Sequence, residues 1–308
     1  MERLREDLMC EDAVAVILVN YNGRVYNEKC IQSILSSKGI AKLQVVVVDN
    51  ASSDGSLQEL QVRFENDERV QLIALEDNYG FARGNNEGIK WAREKGFRFF
   101  LLLNNDTEIA PYAICHMLSL QKKTGSIVVP KILYADQRDI IWCAGGKLTP
   151  VIRKAVQCGC NQKDAGQYDQ DRDCDFANGC CLLLTDGIIQ RIGLLDEDFF
   201  LYYEDTEYSM RAAKAGIKIC YCHEAMVYHK VNGSTMGNAS PANAYYISRN
   251  WLMCNHKYLG RKYGLFLAYY ALNRCAWMII WLLQGKTRMA GAVLQGIKDY
   301  RHGKNGKY

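Results

Sequence analysis

Two short apolar runs constrain this chain more than anything else in it: Val14 to Asn20 (VAVILVN) and Leu43 to Asp49 (LQVVVVD). Both are rich in β-branched residues, the pattern of strands covered on both faces. Between them, Tyr26 to Ser37 spaces its apolar residues as a helix does. Strand, helix and strand within about 36 residues make the parallel crossover unit. The pattern repeats. Ser56, with Glu59 three residues on, reads as a capping box opening a helix, and Val70 to Ala74 as a short strand. A helix from about Arg83 to Lys95 and a strand from Phe99 to Leu103 complete the second pass. The expected fold class is α/β, with a mostly parallel sheet flanked by helices. In such sheets ligands lie beyond the carboxyl ends of the strands. The polar residues there, Asn20, Asp49, Asn78 and Asn104 to Asp106, are expected to line one crevice.

After Pro111 the regularity declines. A helix from Pro111 to Thr124 precedes strand-like pieces near Ile127, Ile140 and Cys181, and the polar stretch from Gln162 to Asp175 reads as a mobile loop. Thr206 to Ala215 reads as a helix and Ile217 to Tyr221 as a strand. With 308 residues the chain holds one large α/β domain with an appendage, or two ordinary domains. Charge locates the boundary. From Pro241 to Tyr308, 11 Lys and Arg stand against one acid, Asp299, for a net +10; with +4 overall, the first 240 residues carry −6. We therefore divide the chain into residues 1–240, the α/β unit, and 241–308, a basic, aromatic-rich helical region. A basic, aromatic segment of this kind fits a phospholipid surface better than a nucleic acid.

The 13 cysteines are odd in number and irregular in spacing, and no signal peptide precedes the first strand. Reduced thiols in a cytoplasmic chain are expected, most serving as small core residues. The one-residue gaps of Cys158/Cys160 and Cys220/Cys222 do not suit a zinc knuckle, and the second pair would share one strand face.

Four clusters carry chemistry. Asp49-Asn50-Ala51-Ser52 can accept hydrogen bonds from a base or ribose, or can simply be a tight turn into a capped helix. Asn78 to Gly88 (NYGFARGNNEG) alternates glycines and amides at a helix start, where Arg83 can meet phosphate, although the spacing is not that of a dinucleotide site. Asn104-Asn105-Asp106 places an acid just outside an apolar strand, suited to Mg²⁺ or Mn²⁺ and equally to a solvated strand end. Asp196 to Arg211 sets aromatic residues before the acids Glu204 and Asp205. Desolvation there raises a carboxylate's proton affinity, and the helix start opposes it.

Together, Asp49-Asn50-Ala51-Ser52, Gly80-Phe81-Ala82-x-Gly84-Asn85-Asn86-x-Gly88 and Asn104-Asn105-Asp106 resemble the family 2 glycosyltransferases of GT-A fold, especially rhamnosyltransferase-like members, over roughly Val14 to Ser234. The resemblance implies an inverting transfer of rhamnose or another hexose from a nucleotide-diphosphate sugar to a saccharide acceptor, in polysaccharide synthesis. It implies that Asp49 holds the nucleoside, among donor-binding residues Asn20, Asn78, Gly80, Arg83, Asn86, Asn104 and Asn105. Asp106 and His229 would hold a divalent metal, Mn²⁺ or Mg²⁺. Asp205, paired with Glu204, would be the base. The first acid of the family's Asp-x-Asp motif is replaced by Asn104, leaving one carboxylate. Lys230 and Arg249 are secondary candidates for the diphosphate, and Gly233-Ser234 for a closing lid. The rival readings are an inactive sugar-nucleotide-binding protein, a nucleotidyltransferase that would release pyrophosphate, and a glycoside hydrolase, which leaves the first three clusters unexplained.

Gly264 to Leu283 (GLFLAYYALNRCAWMIIWLL) approaches a membrane span in length, yet Asn273-Arg274 at its centre are costly there. A helix lying in the membrane interface is expected, with packing on the catalytic unit or in a homodimer as the alternative. A lipid-linked acceptor at the inner face of the cell membrane would suit it.

Overall fold

The structure, a computed structural model, describes residues 10–230 and 240–308. It opens with β1 (Cys10–Asn20), α1 (Arg24–Leu35), β2 (Ile40–Asp49), α2 (Ser56–Arg63), β3 (Val70–Ala74), α3 (Gly80–Glu94) and β4 (Phe99–Asn104). β1 pairs in parallel with both β2 and β4, and β2 with β3. The apolar runs are explained directly. Val14, Val16 and Leu18 enter one core with α1, while Ala15 and Ile17 enter another with Ile89 and Ala92 of α3. Both faces of the strand are thus buried, each full Val or Ile burial being worth about 1.5–3 kcal/mol.

The second half is mixed. β5 (Thr107–Ile109), α4 (Ala113–Thr124), β6 (Ile127–Tyr134), β7 (Ile141–Ala144), the hairpin β8 (Gly146–Leu148) and β9 (Ala155–Gln157), and β10 (Arg172–Cys174) precede β11 (Cys181–Thr185), α5 (Asp186–Ile192), α6 (Glu204–Lys214) and β12 (Ile219–His229). β11 runs antiparallel between β4 and β6, and completes the order β10-β12-β6-β11-β4-β1-β2-β3. β12 is longer than the expected Ile217 to Tyr221 and ends at His229 beside Thr107. Cys220 and Cys222 lie in one core cluster, on one strand face.

Two local expectations are corrected. The α2 start is not a capping box: its N-cap is Gly55 at φ 81°, without a side-chain cap. Ser56 Oγ instead accepts from Asn20, and Glu59 pairs with Arg24. The stretch from Gln162 to Asp175 is anchored rather than free. The buried Lys131 of β6 donates to Asp164 (2.9 Å) and Asp169 (2.5 Å), and β10 pairs with β12.

Residues 241–308 form α7 (Pro241–Leu259), α8 (Tyr263–Leu283) and α9 (Thr287–Arg301). Ser240 caps α7 by accepting from Asn243 N, with Pro241 in the first turn, as helix starts favour. The block packs on the α/β body: Tyr245, Tyr246 and Trp281 cluster with Phe200, and Cys254 with Phe199 and Met210.

Candidate active site

The strand ends of the parallel half are bound together by one amide. Asn20, 0% exposed, donates through Nδ2 to Asp49 Oδ1 (2.6 Å), Ser56 Oγ (2.8 Å) and Ser52 Oγ (3.1 Å). Its Oδ1 accepts from Gly23 N, Asn27 Nδ2 and Asn105 Nδ2. Asp49, 1% exposed, also accepts from Ser52 N. Asn20 and Asp49 therefore lie beneath the crevice as its frame.

The glycine-rich start of α3 is used for close packing. Gly80 sits at φ 88°, and a Cβ there would stand 2.3 Å from the Phe200 carbonyl; at Gly88 it would stand 2.5 Å from Ile17. The first amides of α3 are already engaged, Gly80 N by Asn78 Oδ1 and Phe81 N by Phe200 O. Arg83 stacks on the Tyr79 ring at 3.9 Å. Asn86 faces the other way, donating to Leu195 O and Glu197 and accepting from Leu195 N, so it clamps the turn before α6 to α3.

Beyond the strand ends lies a cleft of about 550 Å³. Of the residues singled out from the sequence, Asn78, Gly80, Asn104, Asn105, Asp106, Glu204, Asp205 and His229 line it, while Asn20, Asp49, Arg83 and Asn86 do not. Sequence reasoning quoted Asn50 in its first cluster without giving it a role of its own, and missed Trp142, Asn178 and Gly179 and the contributions of Ala242, Tyr246 and Lys307 from the helical block. Asn50 had a signal in its place beside Asp49; the others did not, because no local pattern brings them here. Arg249 is corrected outright. It is 0% exposed and donates to Asn250, Tyr245 and Gly306, out of reach of a diphosphate. Lys230 lies by the site, its amide on Asp106 O and its ammonium over the Tyr26 ring. Gly233-Ser234 fall outside the described residues.

Asp106 and His229 meet where β5 pairs with β12. His229 Nε2 stands 3.1 Å from Asp106 Oδ1, their side chains 7% and 12% exposed, and Trp142 packs edge-on against the imidazole at 4.6 Å. Asp106 Oδ1 and His229 Nδ1 have no hydrogen-bond partner among the described residues. The pair is close without the alignment of a hydrogen bond. Asp106 Oδ1, unpartnered and 3.1 Å from His229 Nε2, fits with that nitrogen as part of a divalent-cation ligand set. No group of three or more His, Cys, Asp and Glu suited to a metal occurs among the described residues, so other ligands would come from donor phosphate and water.

Glu204 and Asp205 open α6. Asp205 Oδ2 accepts from Gly179 N (3.1 Å) and Oδ1 from Thr206 N (2.6 Å) and Oγ1 (3.2 Å). Burial pushes its pKa above the ordinary aspartate value, against the pull of the Gly179 and Thr206 donors. Glu204 is pushed well above the ordinary glutamate value, by burial first and then by the adjacent Asp205 charge, and its Oε2 has no partner among the described residues. The cleft thus sets Asp106 and His229 in one enclosure with an oriented carboxylate of raised proton affinity, above the buried frame of Asn20 and Asp49.

A mixed, mostly parallel sheet carrying such a cleft at its strand ends is the architecture of a GT-A glycosyltransferase. It superposes on GalNAc-T7 in complex with UDP, GalNAc and Mn²⁺ with TM-score 0.63 and 15% identity, over 80% of this chain and 48% of that one. This chain thus spans about half of that protein's length. The sequence pattern of Glycosyl transferase family 2 matches residues 15–161. A hexosyltransferase of low-salt glycan biosynthesis from Haloferax volcanii is 30% identical over 71% of this chain and 67% of its own. The N-acetylglucosaminyl-diphospho-decaprenol L-rhamnosyltransferase of Mycobacterium tuberculosis is 23% identical over 77% and 82%. The chain belongs to glycosyltransferase family 2, and its relatives act in glycan and polysaccharide biosynthesis.

Proposed function

We propose that the protein transfers a hexose, with rhamnose the first candidate, from a nucleotide-diphosphate donor to a saccharide hydroxyl with inversion. The observation that carries this is Asp205, oriented by Gly179 and Thr206 in the same cleft as Asp106 and His229. The acceptor oxygen attacks the anomeric carbon as its proton passes to the Asp205 carboxylate, and the bond to the diphosphate oxygen breaks on the opposite face. Raised proton affinity makes Asp205 the stronger base. Asp106 and His229 are the residues fit to hold Mn²⁺ or Mg²⁺, which when bound neutralises charge on the leaving diphosphate. Asn78, Asn104 and Asn105 line the donor side of the cleft, above the frame of Asn20 and Asp49.

Released nucleoside diphosphate, measured with a panel of dTDP- and UDP-sugars, tests the reading; pyrophosphate would instead identify a nucleotidyltransferase. Donor binding without release, with every acceptor tried, would identify an inactive binding protein. Asp106→Asn is expected to abolish the response of turnover to added Mn²⁺. Turnover indifferent to EDTA in the parent would remove the metal role.

We further propose a peripheral place at the inner face of a cell membrane, with a lipid-linked acceptor. α8 is long and apolar enough to cross a membrane, yet it lies along α7, with Phe266 and Tyr270 packed on Trp251. Its one charged residue, Arg274, turns inward over Trp251 and towards Ser248. The exposed positions, among them Leu265, Leu272, Ile279 and Leu283, carry no charge, while Arg261, Lys262, Lys286 and Arg288 stand exposed at the ends. That arrangement suits an interfacial helix on anionic lipid.

A further inference from the structure

We infer that the helical block is part of the catalytic apparatus and that Asn250 of α7 is a positioning residue for the turn that presents Asp205. The inference rests on Asp205 as the base proposed above. The turn needs holding, because Tyr202 and Tyr203 both sit in the left-handed region, at φ 66° and 74°. Such conformations in non-glycine residues cost about 1–3 kcal/mol each and persist only where the surroundings determine them. Tyr203 is also the N-cap of α6 and offers no side-chain cap, so the helix start supplies the Thr206 donors to Asp205 Oδ1 and leaves the turn before it to be held from outside.

The surroundings come from α3 on one side and the helical block on the other. Phe200 O accepts from Phe81 N at 2.9 Å, which ties the start of the turn to α3. Asn250, 0% exposed, then donates through Nδ2 to both Leu201 O (2.9 Å) and Tyr202 O (2.8 Å). The orientation of its amide is decided by Arg249, whose Nε donates to Asn250 Oδ1 at 2.9 Å, leaving the NH₂ group for the two carbonyls. Arg249 is fixed in turn by Tyr245 OH, which donates to Asp299, and by Gly306 O. Tyr202 OH donates to Asn243 Oδ1 (2.9 Å), two helical turns before Asn250 on α7. The Tyr203 ring lies in the cluster of Trp251, Phe266 and Tyr270, so α8 also bears on the turn.

Residues held this way give geometric control of a base whose reach matters: a displacement of about 1 Å in a reacting group can cost on the order of 10²-fold in rate. The test uses the full chain. Asn250→Ala and the near-isosteric Asn250→Asp are expected to lower kcat by about 10²-fold while donor KM stays within about twofold, and to move the acid limb of the pH–kcat profile. Asn243→Ala, which removes the acceptor of the Tyr202 hydroxyl, is expected to lower kcat a few-fold with the fold intact. Thermal unfolding and donor binding on the same samples correct for loss of folded protein. Two outcomes overturn the inference: folded Asn250 variants with parental kcat and acid limb, or losses that track the folded fraction alone while Asn243→Ala is without effect. Asp205→Asn measured in parallel separates the two readings. If it retains full turnover the base assignment fails whatever Asn250 does; if it is inactive while the Asn250 variants are normal, only the positioning role fails.

Discussion

The parallel half and the helical block make opposite uses of their polar residues. In residues 10–109 the amides and small hydroxyls cluster at strand ends, and the most prominent of them are consumed by the scaffold: Asn20 makes six hydrogen bonds of this kind and Asn86 clamps a distant turn. In residues 241–308 the exposed face of α8 is apolar with basic residues at its ends, and the polar groups that matter, Asn250, Arg249 and Asn243, face inward to or beside a turn some 40 to 50 residues away in sequence. A polar residue in a recognisable motif can thus be frame, and one in an unremarkable helix can bear on the chemistry.

Five measurements break or sharpen that contrast. The largest effect is expected at Asp205→Asn, where losing the base lowers turnover by about 10²–10⁴-fold with donor binding retained; normal turnover would dissolve the functional side of the comparison. Next comes Asn20→Ala, which strands several buried partners and is expected to cost about 3 kcal/mol in denaturant unfolding. If Asn20 touched the donor instead, the loss would fall on donor affinity with stability unchanged. Leu272→Asp, at a position 74% exposed, is expected to weaken binding to anionic vesicles about tenfold while kcat on a soluble acceptor is preserved; equal vesicle binding would assign that face another partner. The smallest effect is expected at Glu204→Gln. A raised folded-state pKa means that the fold prefers the protonated acid, so this group costs stability once the pH exceeds its unfolded value near 4.5. The melting temperature of the variant should match the parent below that pH and exceed it by a few degrees at neutral pH. Because burial raises the Asp205 pKa from its ordinary value, activity in the parent should fall with decreasing pH as Asp205 takes up its proton, earlier than it would for a free aspartate.

The contrast also explains what could be read in advance. Val14 to Asn20 and Leu43 to Asp49 declared buried parallel strands because burial on both faces leaves a composition that alternation does not, and β4 followed from the same kind of apolar run. The Ser56 capping box failed because a side chain with local options was taken by a long-range partner, Asn20. Arg249 failed as a phosphate contact because a helical arginine can point either way, and packing against Tyr245 and Gly306 settled the direction.

By itself the sequence determined the α/β class, the line of polar residues at the strand ends, the family and the stretch that contains Asp205, since each of these is encoded in residues near one another along the chain. Only the tertiary structure decided which of those residues face the cleft, that Asp106 and His229 stand 3.1 Å apart, and that α7 holds the Tyr202–Tyr203 turn. Those facts depend on the direction of a side chain and on contacts between segments remote in sequence, and packing and hydrogen-bond satisfaction choose them only once the whole chain has closed.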